Sequence, residues 1–117
     1  MSKNISADKS LELAIKIVNL YKVLTSEQKE FVLSKQLLRS GTSIGANIAE
    51  SEHAQSRLDF VSKINIALKE ANESRYWLTL LHKTNYLNST QYETFNRDIT
   101  EIISILAAIC KKMKSEN

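Results

Sequence analysis

The sequence has no proline and only two glycines among its 117 residues. Folds made of many tight turns draw heavily on both residue types, so a β-sandwich or barrel is not expected. A proline inside a helix costs about 3 kcal/mol or more, and its absence suits long uninterrupted helices. Collagen-like, low-complexity and disulfide-scaffold classes are excluded by the same composition. A single cysteine, Cys110, rules out an intrachain disulfide and a multi-cysteine metal site. Its neighbours Ala107, Ala108 and Ile109 are apolar, the setting of a buried structural thiol rather than a reactive one. A reducing, cytoplasmic location is the simplest expectation. No run of apolar residues approaches the roughly 18 that a membrane span requires. The opening MSKNISADKS has no apolar core of a secretory signal. No membrane partner is expected.

Hydrophobic residues make up 43% and charged residues 25%, proportions of a globular chain, and the length leads us to expect one domain over residues 1–117. Lysine and arginine number 16 against 13 acidic residues, a formal charge of +3. The basic residues are spread along the chain. Their densest group is Lys111, Lys112 and Lys114. Lysines in a last helical turn complement the helix dipole; the alternative is contact with nucleic acid.

Hydrophobic spacing predicts four helices, at about 7–24, 27–54, 57–84 and 89–114. In the first, Leu13, Ile17, Leu20 and Leu24 form one stripe, and Leu11, Ala14, Val18 and Tyr21 a second beside it. Thr25 with Gln28 fits a capping box for the second helix, as does Ser26 with the acidic turn after it, and Ser56 with Asp59 fits one for the third. Asn88 or Ser89 is placed to cap the fourth. There Tyr92, Phe95, Ile99, Ile102, Leu106, Ile109 and Met113 alternate three and four apart, a bundle seam. Short turns between such helices predict an all-α, antiparallel up-down-up-down four-helix bundle.

The stretch RSGTSIGANIAE, residues 39–50, is rich in poor helix formers. It lacks the spacing, the lysine and the preceding strand of a phosphate-binding loop. Gly41, Gly45 and Ala49 recur every four residues, however, and so do Ser43, Asn47 and Ser51. That period belongs to a helix. The first stripe would let another helix approach closely and is expected at an oligomer interface. Ser43, Asn47 and Glu50 are expected to form a polar layer that sets helix register or subunit orientation, with Glu50 reaching a basic residue such as Lys69 or Arg75.

Tests for chemistry give little. Glu50 and His53 form one Glu-x-x-His, a quarter of a di-iron site, but Thr79 stands three residues before the other histidine, His82. No metal or cofactor is expected. Cys110 and the serines lack an identifiable base, and no catalytic residue is assigned. The third helix says more. Ile66, Trp77, Leu80 and Leu81 lie roughly opposite its core seam, and a helix with two apolar faces needs another partner. Trp77 has the character of an interface anchor. Self-association is expected through these residues.

Residues 37–81, LLRSGTSIGANIAESEHAQSRLDFVSKINIALKEANESRYWLTLL, resemble the core signature of the proteins encoded in intervening sequences of bacterial 23S ribosomal RNA genes. Ser43, Asn47, Ile48, Ala49 and Glu50 correspond to its Ser-x-x-x-Asn-Ile-Ala-Glu core. Lys69, Glu70, Ala71 and Tyr76-Trp77-Leu78 correspond to its third helix. The resemblance implies a four-helix bundle assembled as a homopentameric ring, with no catalytic residue to carry over. A relative of that family, the accessory protein of diversity-generating retroelements, forms a basic barrel that engages a reverse transcriptase and nucleic acid. The expected role is therefore a non-enzymatic oligomeric binding or scaffold module. The alternative is direct binding of structured RNA or DNA through a basic rim containing Lys111, Lys112 and Lys114, and a protein partner is a further possibility.

Overall fold

A computed structural model describes residues 4–115. These fold into four α-helices: α1, Ile5–Ser26; α2, Leu33–Ser51; α3, Arg57–Lys83; and α4, Ser89–Ser115. No strand occurs among the described residues, and no helix there is long and apolar enough to cross a membrane.

Side-chain caps fix where the helices begin. Asn4 Oδ1 accepts from the Ala7 N–H at 3.0 Å and starts α1. Ser56 Oγ accepts from the Asp59 N–H at 3.0 Å, and Asp59 reaches back to the Gln55 N–H at 3.2 Å. Asn88 and Gln91 form a reciprocal box at α4, each side-chain oxygen accepting from the other's backbone N–H, at 2.8 and 2.9 Å.

The start of α2 differs from expectation. Thr25 and Ser26 cap nothing: their hydroxyls donate to the Tyr21 and Lys22 carbonyls at 2.9 and 2.6 Å, so α1 continues to Ser26. The chain then turns through Lys29, at φ 54°. Buried Glu30 caps α2 instead, accepting from the backbone N–H groups of Val32, Leu33 and Ser34 at 3.1, 2.8 and 2.6 Å. A carboxylate suits that helix end, where free N–H groups concentrate positive potential. Burial pushes the Glu30 carboxyl up, but the hydrogen bonds from Leu33, Ser34 and Val32 together outweigh it and hold the group below its ordinary range. α2 therefore begins at Leu33 and not near Glu27.

Each helix packs on its neighbours in the chain, and α1 also meets α4. Ile17 and Ser10 of α1 face Gly41 and Gly45 of α2, and Asn4 bonds Glu52. Arg39, Ser40 and Glu50 of α2 meet Glu70, Ser74 and Lys63 of α3. Thr79, Arg75 and Asn65 of α3 meet Tyr92, Thr100 and Cys110 of α4. Lys9 and Lys16 of α1 pair with Glu101 and Asp98 of α4. The α1–α4 seam is the most open of the four. Accordingly Ile99, Ile102 and Leu106 of α4 are fully buried, while Tyr92, Phe95, Ile109 and Met113 from the same stripe are half-buried.

The closest approach is at Gly41. A Cβ there would collide with Ile17 Cδ1 and stand 3.3 Å from its Cγ2. Overpacking of this kind costs about 1–3 kcal/mol, against about 1 kcal/mol gained from replacing glycine in a helix. Gly41→Ala should therefore destabilise by about 1 kcal/mol in urea denaturation. Ile17→Val, which removes Cδ1, should abolish that cost in the double variant, giving a non-additive cycle. Additive effects would show that Ile17 does not set the spacing.

Candidate functional site

The polar side chains of α2 and α3 converge on one seam. At its centre two buried hydroxyls meet, Ser74 donating to Ser40 Oγ at 2.8 Å. Outside them Arg39 pairs with Glu70 at 3.1 Å and with Glu73. Glu73 also accepts from Trp77 Nε1 at 2.9 Å. The indole bond and the Arg39 guanidinium together hold the Glu73 carboxyl below its usual range. Trp77 meets Tyr76 edge to face, with centroids 5.1 Å apart. The indole is half-buried against the core, and Tyr76 is the exposed member of the pair. Local sequence around Ser40 and Ser74 gave no sign of this contact, because their pairing depends on how two distant segments align.

Several proposed contact residues are placed differently. Gly41 is buried against α1 of the same chain, and Leu81 lies fully in the core. Neither is available to an oligomer interface. The period of the glycine stripe is helical, but its partner at Gly41 and Gly45 is α1: Ile17 fills the space that a Cβ would take at Gly41, and Ser10 Oγ would stand 3.1 Å from one at Gly45. Ala49 and Ile66 are exposed and Leu80 is half-buried. Asn47 Nδ2 donates to the Ser43 carbonyl at 2.8 Å and lies 3.2 Å from its hydroxyl, so this pair closes within one helix. Glu50 is at the surface, 3.6 Å from Lys63, and not beside Lys69 or Arg75. Within the chain Glu50 alone of the three reaches another helix, and the buried polar contact between α2 and α3 is Ser40 with Ser74.

Lys111, Lys112 and Lys114 are exposed on the last turns of α4. The Cys110 thiol donates to Asn65 at 3.2 Å; burial pushes its pKa up, against a smaller opposing effect of Lys114. His53 lines an open cleft of about 470 Å³ with Glu50, Asp59 and Lys63, while His82 stacks on Tyr92 at 4.5 Å. Among the described residues no group of three or more His, Cys, Asp and Glu side chains is placed to hold a metal.

The exposed large apolar side chains are unevenly distributed. On α1 they are Ile5, Leu11, Ile15 and Val23; on α3, Leu58, Ile66 and Tyr76. Phe31 and Val32 stand in the α1–α2 turn, and none is on α2 or α4. α1 is flanked by two grooves. One, of about 300 Å³, lies toward α2 and is lined by Leu11, Ala14, Ala46 and Ala49. The other, of about 330 Å³, lies toward α4 and is lined by Leu20, Val23 and Phe95. Of the second stripe read from the sequence, Leu11 is the one member among these exposed side chains; Ala14, Val18 and Tyr21 are half-buried.

These features define an all-α four-helix protein that presents apolar faces outward on two of its helices. The family model of the 23S rRNA-intervening sequence protein matches residues 2–108, and the chain belongs to that family. A solved crystal structure, of a protein with unknown function from the S23 ribosomal protein family of Bacteroides thetaiotaomicron, is similar over 92% of this chain and 99% of its own. The two are 64% identical, with a TM-score of 0.90. No curated protein matches.

The sequence has one tryptophan, which makes its emission a clean reporter of the seam. The bonded Glu73 carboxyl titrates below its ordinary value of 4.5, and protonation removes its charge from Arg39 and Trp77. Trp77 fluorescence should stay constant as pH falls toward 4.5 and change only below it. Glu73→Gln should remove that acid transition. A transition retained in the variant would assign it to another group.

Proposed function

We propose that the protein is a non-enzymatic, homo-oligomeric helical scaffold, an up-down-up-down bundle assembled as a homopentameric ring. The resemblance of the chain to a family that implies homopentameric rings supports the assembly. The bundle topology is supported by contact register: numbers rise along one helix as they fall along the next, as in Ile17–Gly41 and Ser10–Gly45 or Ser40–Ser74 and Glu50–Lys63. The observation that carries self-association is the outward apolar surface of α1, with four large exposed side chains and an apolar groove on either side. Exposed patches of that kind mark interaction sites. Light scattering on purified protein at micromolar concentration is the test. The expected particle is a ring of about five 13.3 kDa chains, and a monomer would overturn the proposal.

A second reading is contact with structured RNA or DNA through the Lys111, Lys112 and Lys114 group, favoured by the exposure of all three. Repeating a +3 chain around a ring multiplies its attraction for phosphate. Filter binding across a salt series should then show affinity falling linearly with log salt. Replacing the three lysines with glutamine should flatten that slope. No binding at low salt, or a slope unchanged by the triple variant, removes this reading.

A further inference from the structure

We infer which faces meet in the head-to-tail ring proposed above: α1 of one copy receives α3 of the next, with Ile66 and Tyr76 seated in the two grooves beside α1. α1 and α3 are not adjacent inside the chain; each packs between α2 and α4. The two apolar faces are therefore on diagonally opposite sides of the bundle. A patch that meets its own twin would need only one such face. Two faces on opposite sides suit a head-to-tail contact that repeats and can close into a ring.

The knobs and grooves also agree in height. Ser10 faces Gly45, which lies midway along α2 between Ser40, level with Ser74, and Glu50, level with Lys63. Leu11 thus stands at about the height of Leu68, near Ile66. Ile17 faces Gly41, the neighbour of Ser40, which sets Leu20 at about the height of Tyr76. A rotation about an axis parallel to the bundle preserves height, so it carries Ile66 toward the Leu11 groove and Tyr76 toward the Leu20 groove. Ile66 and Tyr76 are about 15 Å apart along α3, and Leu11 and Leu20 about 14 Å apart along α1, at 1.5 Å per residue. The grooves lie on opposite flanks of α1; helices in a bundle pack about 20° off parallel, so a helix carried round by such a rotation crosses α1 obliquely and reaches both flanks.

Charge agrees with this seating. Asp8 borders the α1–α2 groove, and exposed Lys69 lies one turn beyond Ile66. Tyr76 is braced by Trp77, itself fixed by Glu73 and Arg39. An aromatic held in place before contact loses little freedom on binding. The α2–α3 seam thereby acquires a role as the support of an anchor.

Two single-face variants test the pairing. Leu11→Glu with Ile15→Glu disables the α1 face, and Ile66→Glu with Tyr76→Glu disables the α3 face. These side chains are 62, 53, 38 and 60% exposed, so the fold should survive, as circular dichroism would show. Should either charged variant unfold, the milder Leu11→Ser and Tyr76→Ser pair takes its place. Each variant alone should be monomeric in light scattering. An equimolar mixture should double that mass and grow no further, because one intact face of each kind remains. An α3-face variant that assembles like the parent, a mixture that stays monomeric, or a mixture that regains the parental mass would each overturn the heterologous contact. A monomeric parent would instead overturn self-association itself, and this inference with it.

Discussion

The absence of a side chain at Gly41 leaves the room into which Ile17 of α1 packs against α2. A Cβ there would have to displace the end of the Ile17 side chain, which is fully buried in the core. Gly45 repeats the arrangement one turn on, with Ser10 across from it. Because α2 also carries the buried Ser40 toward Ser74 of α3, the same short segment fixes two neighbours at once. Glycine lowers helix propensity by about 1 kcal/mol at each such position. Packing of Ile17, Ile44 and Ile48 into a dry core is what offsets that loss.

With α2 holding α1 and α3, α4 is left to close the bundle against the outer two. It does so incompletely. Its central residues reach the core, and Phe95 lines a groove facing α1. Two surface ion pairs, Lys9–Glu101 and Lys16–Asp98, cross that seam where apolar contact is thin. Exposed pairs contribute little stability each, so this seam is the least firmly closed of the four.

The polar seam between α2 and α3 shows how burial and surface chemistry combine. Two hydroxyls satisfy each other inside, where an unpaired one would be costly. A charged pair and an indole extend the line of contacts outward to Glu73. The result is an aromatic pair with a fixed orientation at the edge of α3. On α1, by contrast, the outward face is aliphatic and flanked by small residues of α2. Knobs on one side and hollows on the other are a natural basis for association between copies.

The four helices were legible in the sequence because a 3.6-residue hydrophobic period survives whatever packs against it, and the caps at Ser56 and Asn88 act locally. Family membership was likewise legible in the Ser43–Glu50 and Lys69–Leu78 segments, and the match over residues 2–108 agrees. The spacing also revealed that Gly41 and Gly45 form a thin face. What it lacked was any information about which helix fills that face, since close approach looks the same in sequence whether the partner is α1 or another chain. The start of α2 was hidden for a related reason. Thr25 and Gln28 make a plausible local box, but Glu30 reaches three N–H groups only after the Lys29 turn brings it inside. Leu81 and Tyr76 illustrate the same division. Periodicity places side chains around a helix axis, and only the surrounding helices decide which of those directions is covered and which faces water.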